Sequence, residues 1–162
     1  MTLDEPLLTR LADWRPAGPG PHGFRSGLAR PGWSLTATAD QADALSCRLT
    51  ELTVGGPAAE AVCTAAALTQ RADRLARRVT GLLEPLRLIE VDAARTEAIL
   101  RSEKPSARGE ELYYYELFLR GEHSSTLRRY KASKTGGRRE AVPYALTHEA
   151  IAKLAADLAD EE

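Results

Sequence analysis

The alternation of apolar and polar residues predicts a β-hairpin over residues 33–54. Residues 33–40 alternate without interruption, which is the period of a strand with one buried face. Residues 41–54 fit two patterns, because their leucines fall at helical spacing whereas Thr50, Thr53 and Val54 are of types that favour strands. We favour the strand, which would return beside residues 33–40 and complete the hairpin.

The longest helical pattern covers residues 57–83. Pro57 stands at a position that suits the first turn of a helix, and Gly81 and Pro85 are typical of residues near or beyond a helix end. Apolar residues recur between these limits at alternating steps of three and four: Ala58, Ala61, Ala65, Leu68, Ala72, Leu75, Val79 and Leu82. Such a stripe suits a coiled coil or a helix lying across a sheet. The strand content elsewhere favours the sheet.

Two shorter helices are predicted at the ends of the chain. Residues 4–14 have Asp4 as a capping residue and carry leucines on one face. The second helix begins after Thr147, a good N-cap, and ends near residue 159. Leu146 and Ile151 stand at the two positions of a hydrophobic staple around this cap.

Residues 15–32 interrupt these patterns, since half of the 18 positions are Gly or Pro. Such a stretch does not hold a helix, and loops of this length are usually functional or disordered. Two interpretations remain, a linker that tethers the N-terminal helix or an irregular arm over the surface. We favour the linker.

The remaining strands complete an α+β fold. Short strand patterns occur at residues 86–91, 97–101, 112–120, 126–133 and 138–145, the last restricted by Pro143 to an edge or a strand end. The prediction is a single antiparallel sheet, a meander, packed against one long central helix and a C-terminal helix. The domain division is an N-terminal amphipathic helix at 1–14, a Gly/Pro-rich linker or arm at 15–32 and a single α+β domain at 33–162.

Composition and charge restrict the function classes. The formal net charge is −1, which argues against a protein wholly devoted to nucleic acid or acidic lipid. There is no apolar run long enough for a membrane helix, and the acidic, amphipathic start is unlike a secretory signal. Cys47 and Cys63 form neither a disulfide framework nor a metal motif. We therefore expect a cytoplasmic protein with no membrane partner.

Motifs for catalysis, cofactors and metals are missing from the sequence. The three histidines fall in three different predicted elements, and no phosphate loop, nucleophile elbow, dinucleotide fingerprint or metal-ligand spacing occurs. We expect no cofactor, no metal and no catalysis. A small enzyme of unknown class remains an alternative, and it would require at least two of Glu116, His123, His148 and Glu149 to meet in one deep pocket.

A basic stretch in the meander is the most distinctive feature. Seven cations and a single acid, Glu122, lie between residues 120 and 139. The cations, and the aromatic residues expected to stack beside them, are Arg120, Arg128, Arg129, Lys131, Lys134, Arg138, Arg139, Tyr114, Phe118 and Tyr130. A five-residue turn would place Arg120 opposite Thr126 and put rings and arginines on one sheet face.

That face has two interpretations. Aromatic rings interleaved with arginines can stack bases and neutralise phosphates, which is the nucleic-acid hypothesis. The alternative is a solvated outer face, supported by a register that brings Lys131 opposite Glu140. We favour the solvated face.

Residues 131–158 resemble the lysine-bearing hairpin of tyrosine recombinases, in which a turn with a lysine precedes a strand and a Thr-capped helix. The resemblance places Lys134 near the position of that family's catalytic lysine. The chain departs from the family pattern, because no His-x-x-Arg box and no nucleophilic Tyr follow. We therefore do not transfer the family's activity, and the resemblance only favours a hairpin that faces DNA.

The functional prediction is a non-catalytic accessory or adaptor subunit that binds another macromolecule, with a protein as the expected partner. Nucleic-acid binding through hairpin 120–139 is the alternative. A second candidate surface is the N-terminal helix, which would either dock on a partner or fold back on its own domain. Its candidate docking residues are Leu7, Leu8, Leu11 and Trp14.

Overall fold

The computed structural model describes residues 2–58 and 62–159, in which three helices and ten strands occur. The helices are α1 (Glu5–Asp13), α2 (Ala65–Arg78) and α3 (His148–Ala159). The strands are β1 (His22–Gly27), β2 (Ser34–Ala42), β3 (Ser46–Gly55), β4 (Leu86–Asp92), β5 (Glu97–Ser102), β6 (Ser106–Arg108), β7 (Glu111–Arg120), β8 (Ser124–Ser133), β9 (Glu140–Val142) and β10 (Tyr144–Thr147). The strands form one antiparallel sheet, so the α+β class is confirmed.

The sheet joins two meanders rather than forming a single one. Its main order is β1-β2-β3-β8-β7-β5-β4, and β3 and β8 are the strands at which the two meanders meet. Pairing of β3 with β8 covers only their Leu52–Gly55 and Ser124–Leu127 ends. Beyond that point β10 pairs with β3 and β9 pairs with β8, so these short strands occupy the space where the two long strands separate.

One side of the sheet carries the core. A row of leucines crosses five strands in register: Leu52, Leu127, Leu117, Leu100 and Leu88. Buried residues of all three helices belong to the same cluster, so the helices supply the remaining walls of this core. None of the helices among the described residues has the length and hydropathy of a membrane-spanning segment.

The hairpin over residues 33–54 is confirmed, with a local irregularity. Strands β2 and β3 pair along their length, but the register shifts between Thr38 and Gln41. As a result Leu49 and Leu52, three residues apart, are both fully buried. A bulge of this kind changes which residues alternate inward, and this explains why the leucines of β3 also fit a helical spacing.

Helix α2 is shorter at both ends than the predicted 57–83. It begins at Ala65, where Thr64 caps it by accepting a hydrogen bond at 3.0 Å from the backbone N–H of Ala67. Pro57 and Ala58 lie outside the helix, while Ala61 of the predicted stripe lies outside the described residues. Proline is only tolerated at a helix start, whereas a threonine side chain satisfies a free backbone donor. The cap therefore decides the boundary.

Part of the Gly/Pro-rich segment is a strand rather than an irregular loop. Strand β1 pairs with β2 along its full length, and it places Phe24 and Ser26 on the core side. Because β1 is an edge strand, the glycines at 23 and 27 weaken no interior ladder. The glycine content is therefore the reason why the sequence analysis did not predict this strand, whose two core-facing residues are Phe24 and Ser26.

Helix α1 is confirmed, and it packs on the domain. Leu7 and Leu11 are fully buried in the core, and Leu8 and Trp14 are partly buried against it. Asp4 caps the helix and also accepts a hydrogen bond at 2.7 Å from the backbone N–H of Ala29. The two buried leucines are therefore inaccessible to a docking partner in this arrangement.

Candidate binding site

The basic hairpin has a different register from the one predicted. Arg120 lies opposite Ser124 rather than Thr126, and Phe118 lies opposite Thr126. The turn has three residues, 121–123, because Gly121 adopts the left-handed conformation at φ +56° and closes it tightly. A shift of two residues leaves each side chain on its predicted face. The expected pairing of Lys131 with Glu140 is confirmed.

Carboxylates neutralise the outer face of this hairpin. Arg128 binds Glu51 on β3 through two hydrogen bonds of 2.7 and 2.9 Å. Glu116 is buried at 6% exposure, and its Oε2 pairs with the Arg139 guanidinium at 2.5 Å and with the Arg101 guanidinium at 2.9 Å. Charges therefore alternate across neighbouring strands, an arrangement that stabilises a sheet face without a covering helix.

Five of the seven predicted hairpin cations are in ion pairs. Arg120 is 3.6 Å from Glu97, Arg129 is 3.1 Å from Glu84, and Lys131 lies at 3.5 Å from Glu111. Among the residues that the structure describes, Lys134 and Arg138 have no ion pair, and both are exposed in the turn between β8 and β9. These ion pairs therefore neutralise much of the positive charge that the sequence of the hairpin carries.

The predicted stacking rings are also occupied. Tyr114 and Tyr130 contact each other, with ring centroids 5.9 Å apart. The guanidinium of Arg139 lies 3.8 Å from the Tyr130 ring centroid, and that of Arg101 lies 5.7 Å from Tyr114. A base would have to displace these cations in order to stack on either ring.

A groove of about 410 Å³ lies where the two meanders separate. Its walls contain four cations and three tyrosines and, within residues 2–58 and 62–159, no carboxylate. The lining residues are Arg48, Leu83, Arg108, Tyr113, Tyr115, Arg129, Lys131, Val142, Pro143, Tyr144 and Ala145. This groove brings together two of the predicted hairpin cations, Arg129 and Lys131, and adds two that sequence reasoning missed, Arg48 and Arg108.

Local sequence explains the opening. Pro143 stands between β9 and β10 and cannot donate a backbone hydrogen bond, so the two short strands pair with different neighbours. Tyr144 then turns inward, and its hydroxyl donates to the Leu127 carbonyl at 2.6 Å, where β8 leaves β3. The sequence prediction that Pro143 marks a strand end is confirmed.

One lining cation, Arg129, pairs with a buried carboxylate that is not itself part of the groove lining. Glu84 accepts hydrogen bonds from Arg129 at 3.1 and 3.4 Å and from the hydroxyls of Ser102 and Ser106 at 2.7 and 2.8 Å. Burial alone raises the pKa of Glu84, but these four hydrogen bonds outweigh it, so the pKa lies below its usual value. Glu84 is therefore ionised and holds Arg129 in place.

Aromatic rings support the cations of the groove. The guanidinium of Arg129 lies 4.3 Å from the centroid of Tyr115, whose ring contacts Tyr144 edge-on at 5.6 Å. The guanidinium of Arg108 lies 4.7 Å from the Tyr113 ring centroid. The guanidinium of Arg129, a residue of β8, lies 6.0 Å from the same centroid. These contacts position the guanidinium groups beside the rings. Not all of the guanidinium N–H donors are used in ion pairs.

The cations at the rim have weak competitors. Arg48 pairs with Asp40 at 3.1 Å, and Lys131 lies 3.5 and 3.9 Å from Glu111 and Glu140. Pairs as exposed as these contribute only about 0–1 kcal/mol each. Of the described carboxylates none pairs with Arg108. An incoming anion can therefore recruit the rim cations at little cost.

Two of the four residues named for an enzyme, His148 and Glu149, line one hollow as chain neighbours, and the other two lie elsewhere. Glu116 lies on the outer sheet face and His123 in the β7–β8 turn, whereas His148 and Glu149 begin α3 and border a separate hollow beside Leu8. Within the described residues, there is no cluster of three metal-ligating side chains. Burial raises the pKa of Cys47 to about 11, so its thiol stays protonated.

Comparison with known proteins adds no relative. No protein-family model matches the chain, and neither the curated proteins nor the solved structures contain a significant match.

Proposed function

We propose that the protein is a non-catalytic adaptor that binds an acidic segment of a partner protein in the groove between its two meanders. The observation that carries the proposal is the lining itself, which contains four cations and, among the described residues, no carboxylate. Arginine and tyrosine are also the residue types enriched at the energetic centres of protein interfaces.

The groove favours a protein partner over nucleic acid. A nucleic-acid surface usually tracks a backbone with a continuous positive stripe, whereas here Arg120 on β7 and Arg128 on β8, outside the groove, alternate with carboxylates at 3.6 and 2.7 Å. A net charge of −1 for the whole chain also opposes a long polyanion. A short acidic segment requires only the local charge that the groove supplies.

The test compares two matched double variants by fluorescence anisotropy. A labelled peptide of alternating glutamate and glycine is titrated with wild type, with Arg48→Glu/Arg108→Glu in the groove, and with Lys134→Glu/Arg138→Glu in the hairpin turn. We expect the turn variant to bind like wild type and the groove variant to bind about tenfold more weakly or worse, since each charged hydrogen bond contributes about 1.5–3 kcal/mol. Equal binding by both variants would refute the proposal.

The nucleic-acid alternative is tested with the same proteins and a labelled oligonucleotide. Because Lys134 and Arg138 are the hairpin cations without a described ion pair, they would dominate such binding. Two phosphate contacts correspond to a salt slope of about −2. Oligonucleotide binding that exceeds peptide binding and is lost in the turn variant would replace the adaptor proposal.

A further inference from the structure

We infer that the acidic group held by the groove is an aromatic phosphate monoester, the side chain of a phosphotyrosine in the partner segment. The inference rests on the proposed function and adds the chemical class of the ligand. It depends on three features of the groove: the number of its cations, the nature of its walls and its size.

The groove holds more cations than a single carboxylate requires. Three of them are neighbours of one tyrosine: Arg108 and Arg129 lie 4.7 and 6.0 Å from the Tyr113 ring centroid, and Lys131 is the cross-strand neighbour of Tyr113. One guanidinium satisfies both oxygens of a carboxylate. A phosphate monoester carries a charge near −2 and three acceptor oxygens, and it can engage several donors at once.

The walls of the groove suit a phenyl ring attached to that phosphate. Leu83 is 70% exposed at the groove, and Val142 and Pro143 line it as well. An exposed leucine beside aliphatic and aromatic walls has no role in binding a bare anion, but it can cover one face of a phenyl ring. A phosphoserine side chain has no ring to bury there.

The size of the groove agrees with this ligand. Its volume of about 410 Å³ lies near the lower end of the range for small-molecule pockets, about 300–1,000 Å³. A phosphorylated phenyl ring with the adjoining backbone of a peptide fits such a space. An extended polyanion would contact it only in part.

The experiment uses four peptides of one sequence whose central residue is tyrosine, phosphotyrosine, phosphoserine or glutamate, titrated against the full chain by anisotropy. We expect the phosphotyrosine peptide to bind about tenfold tighter than the glutamate and phosphoserine peptides, and the tyrosine peptide to bind weakest. Phenyl phosphate should displace the phosphotyrosine peptide at lower concentration than inorganic phosphate does.

Variants separate the phosphate from the ring. Arg108→Gln/Lys131→Gln should weaken phosphotyrosine binding about tenfold, while the control Lys134→Gln/Arg138→Gln should leave it unchanged. Leu83→Ser should weaken the phosphotyrosine peptide and spare the phosphoserine peptide. These side chains are exposed or at the rim, and circular dichroism verifies that each variant is folded.

The outcomes distinguish a failure of the phosphotyrosine inference from a failure of the adaptor proposal on which it rests. Equal affinity for the glutamate and phosphotyrosine peptides would overturn the phosphate inference and leave the adaptor proposal standing. Failure of every peptide to bind would overturn both. Displacement by adenosine monophosphate at lower concentration than by phenyl phosphate would also overturn the inference, because it would identify the site as one for a free nucleotide.

Discussion

The two most buried arginines, Arg71 and Arg129, are held in different ways. Arg71 donates to the carbonyls of Gly121 and Ser124 and, at 2.6 Å, to the hydroxyl of Ser125. Burial lowers its pKa to about 10. Arg129 instead has the carboxylate of Glu84 as its partner. Arg71 therefore fixes the β7–β8 turn with neutral acceptors, whereas Arg129, which lines the groove, pairs with a buried counter-ion.

The Glu84–Arg129 pair supports the first stability prediction. Arg129→Ala should lower the free energy of unfolding by about 3–5 kcal/mol, because it leaves Glu84 buried without a cation. The double variant Glu84→Gln/Arg129→Met should recover most of that loss, since glutamine keeps an acceptor for Ser102 and no charge remains. Urea denaturation followed by circular dichroism measures both variants.

Arg120→Ala provides the control for that measurement. Its partner Glu97 is 3.6 Å away, and 63% of the Arg120 side chain is exposed. Loss of such a surface pair should change stability by less than about 1 kcal/mol. A double variant no more stable than Arg129→Ala would show that the pair stabilises the fold by more than mutual neutralisation.

At the scale of helices and strands, local patterns predicted the elements better than their limits. Alternation identified β2, β7 and β8, because one face of each is in the core and the other is not. The start of α2 was missed because the Thr64 cap, rather than Pro57, decides it. Strand β1 was missed because the glycines of 22–27 are typical of loops, whereas pairing with β2 makes this segment an edge strand. The predicted register of the β7–β8 hairpin was wrong by two residues, because the register depends on the turn length that Gly121 permits.

The groove was the hardest part to predict from the sequence. Arg129 and Lys131 were identified because they belong to a local run of cations. Arg48, Arg108 and Tyr144 come from distant segments with no shared motif, and they line one groove where β3 and β8 separate. Long-range strand pairing of this kind leaves no periodic signal in a single sequence.

The N-terminus of α2 can be tested at the same scale. Thr64→Ala should lower the free energy of unfolding by about 1 kcal/mol, because the backbone N–H of Ala67 loses its acceptor. Thr80→Ala, at an exposed position after the helix, should change stability by less than about 0.5 kcal/mol. Thermal or urea unfolding distinguishes the two, and equal effects would place the functional cap elsewhere.

At the scale of the whole molecule, the two sheet faces are stabilised by different interactions. The leucine row and the helices exclude water from one face, while alternating charges such as Glu51, Arg128 and Glu116 cover the other. The cations and carboxylates that sum to a net charge of −1 therefore include many that pair across the sheet. The groove differs from both faces, because four cations line it and no carboxylate is among its described lining residues.

The attachment of α1 decides whether residues 1–14 form a separate docking element. Leu7 and Leu11 are at most 1% exposed, so Leu7→Ala and Leu11→Ala should each lower the free energy of unfolding by about 2–5 kcal/mol. Leu45→Ala, at a side chain 76% exposed, should change it by less than about 0.5 kcal/mol and is the matched control. Urea unfolding of the full chain measures all three. If both core variants were as stable as the control, α1 would be a detachable helix available to a partner, because burial against the domain would then contribute nothing to folding.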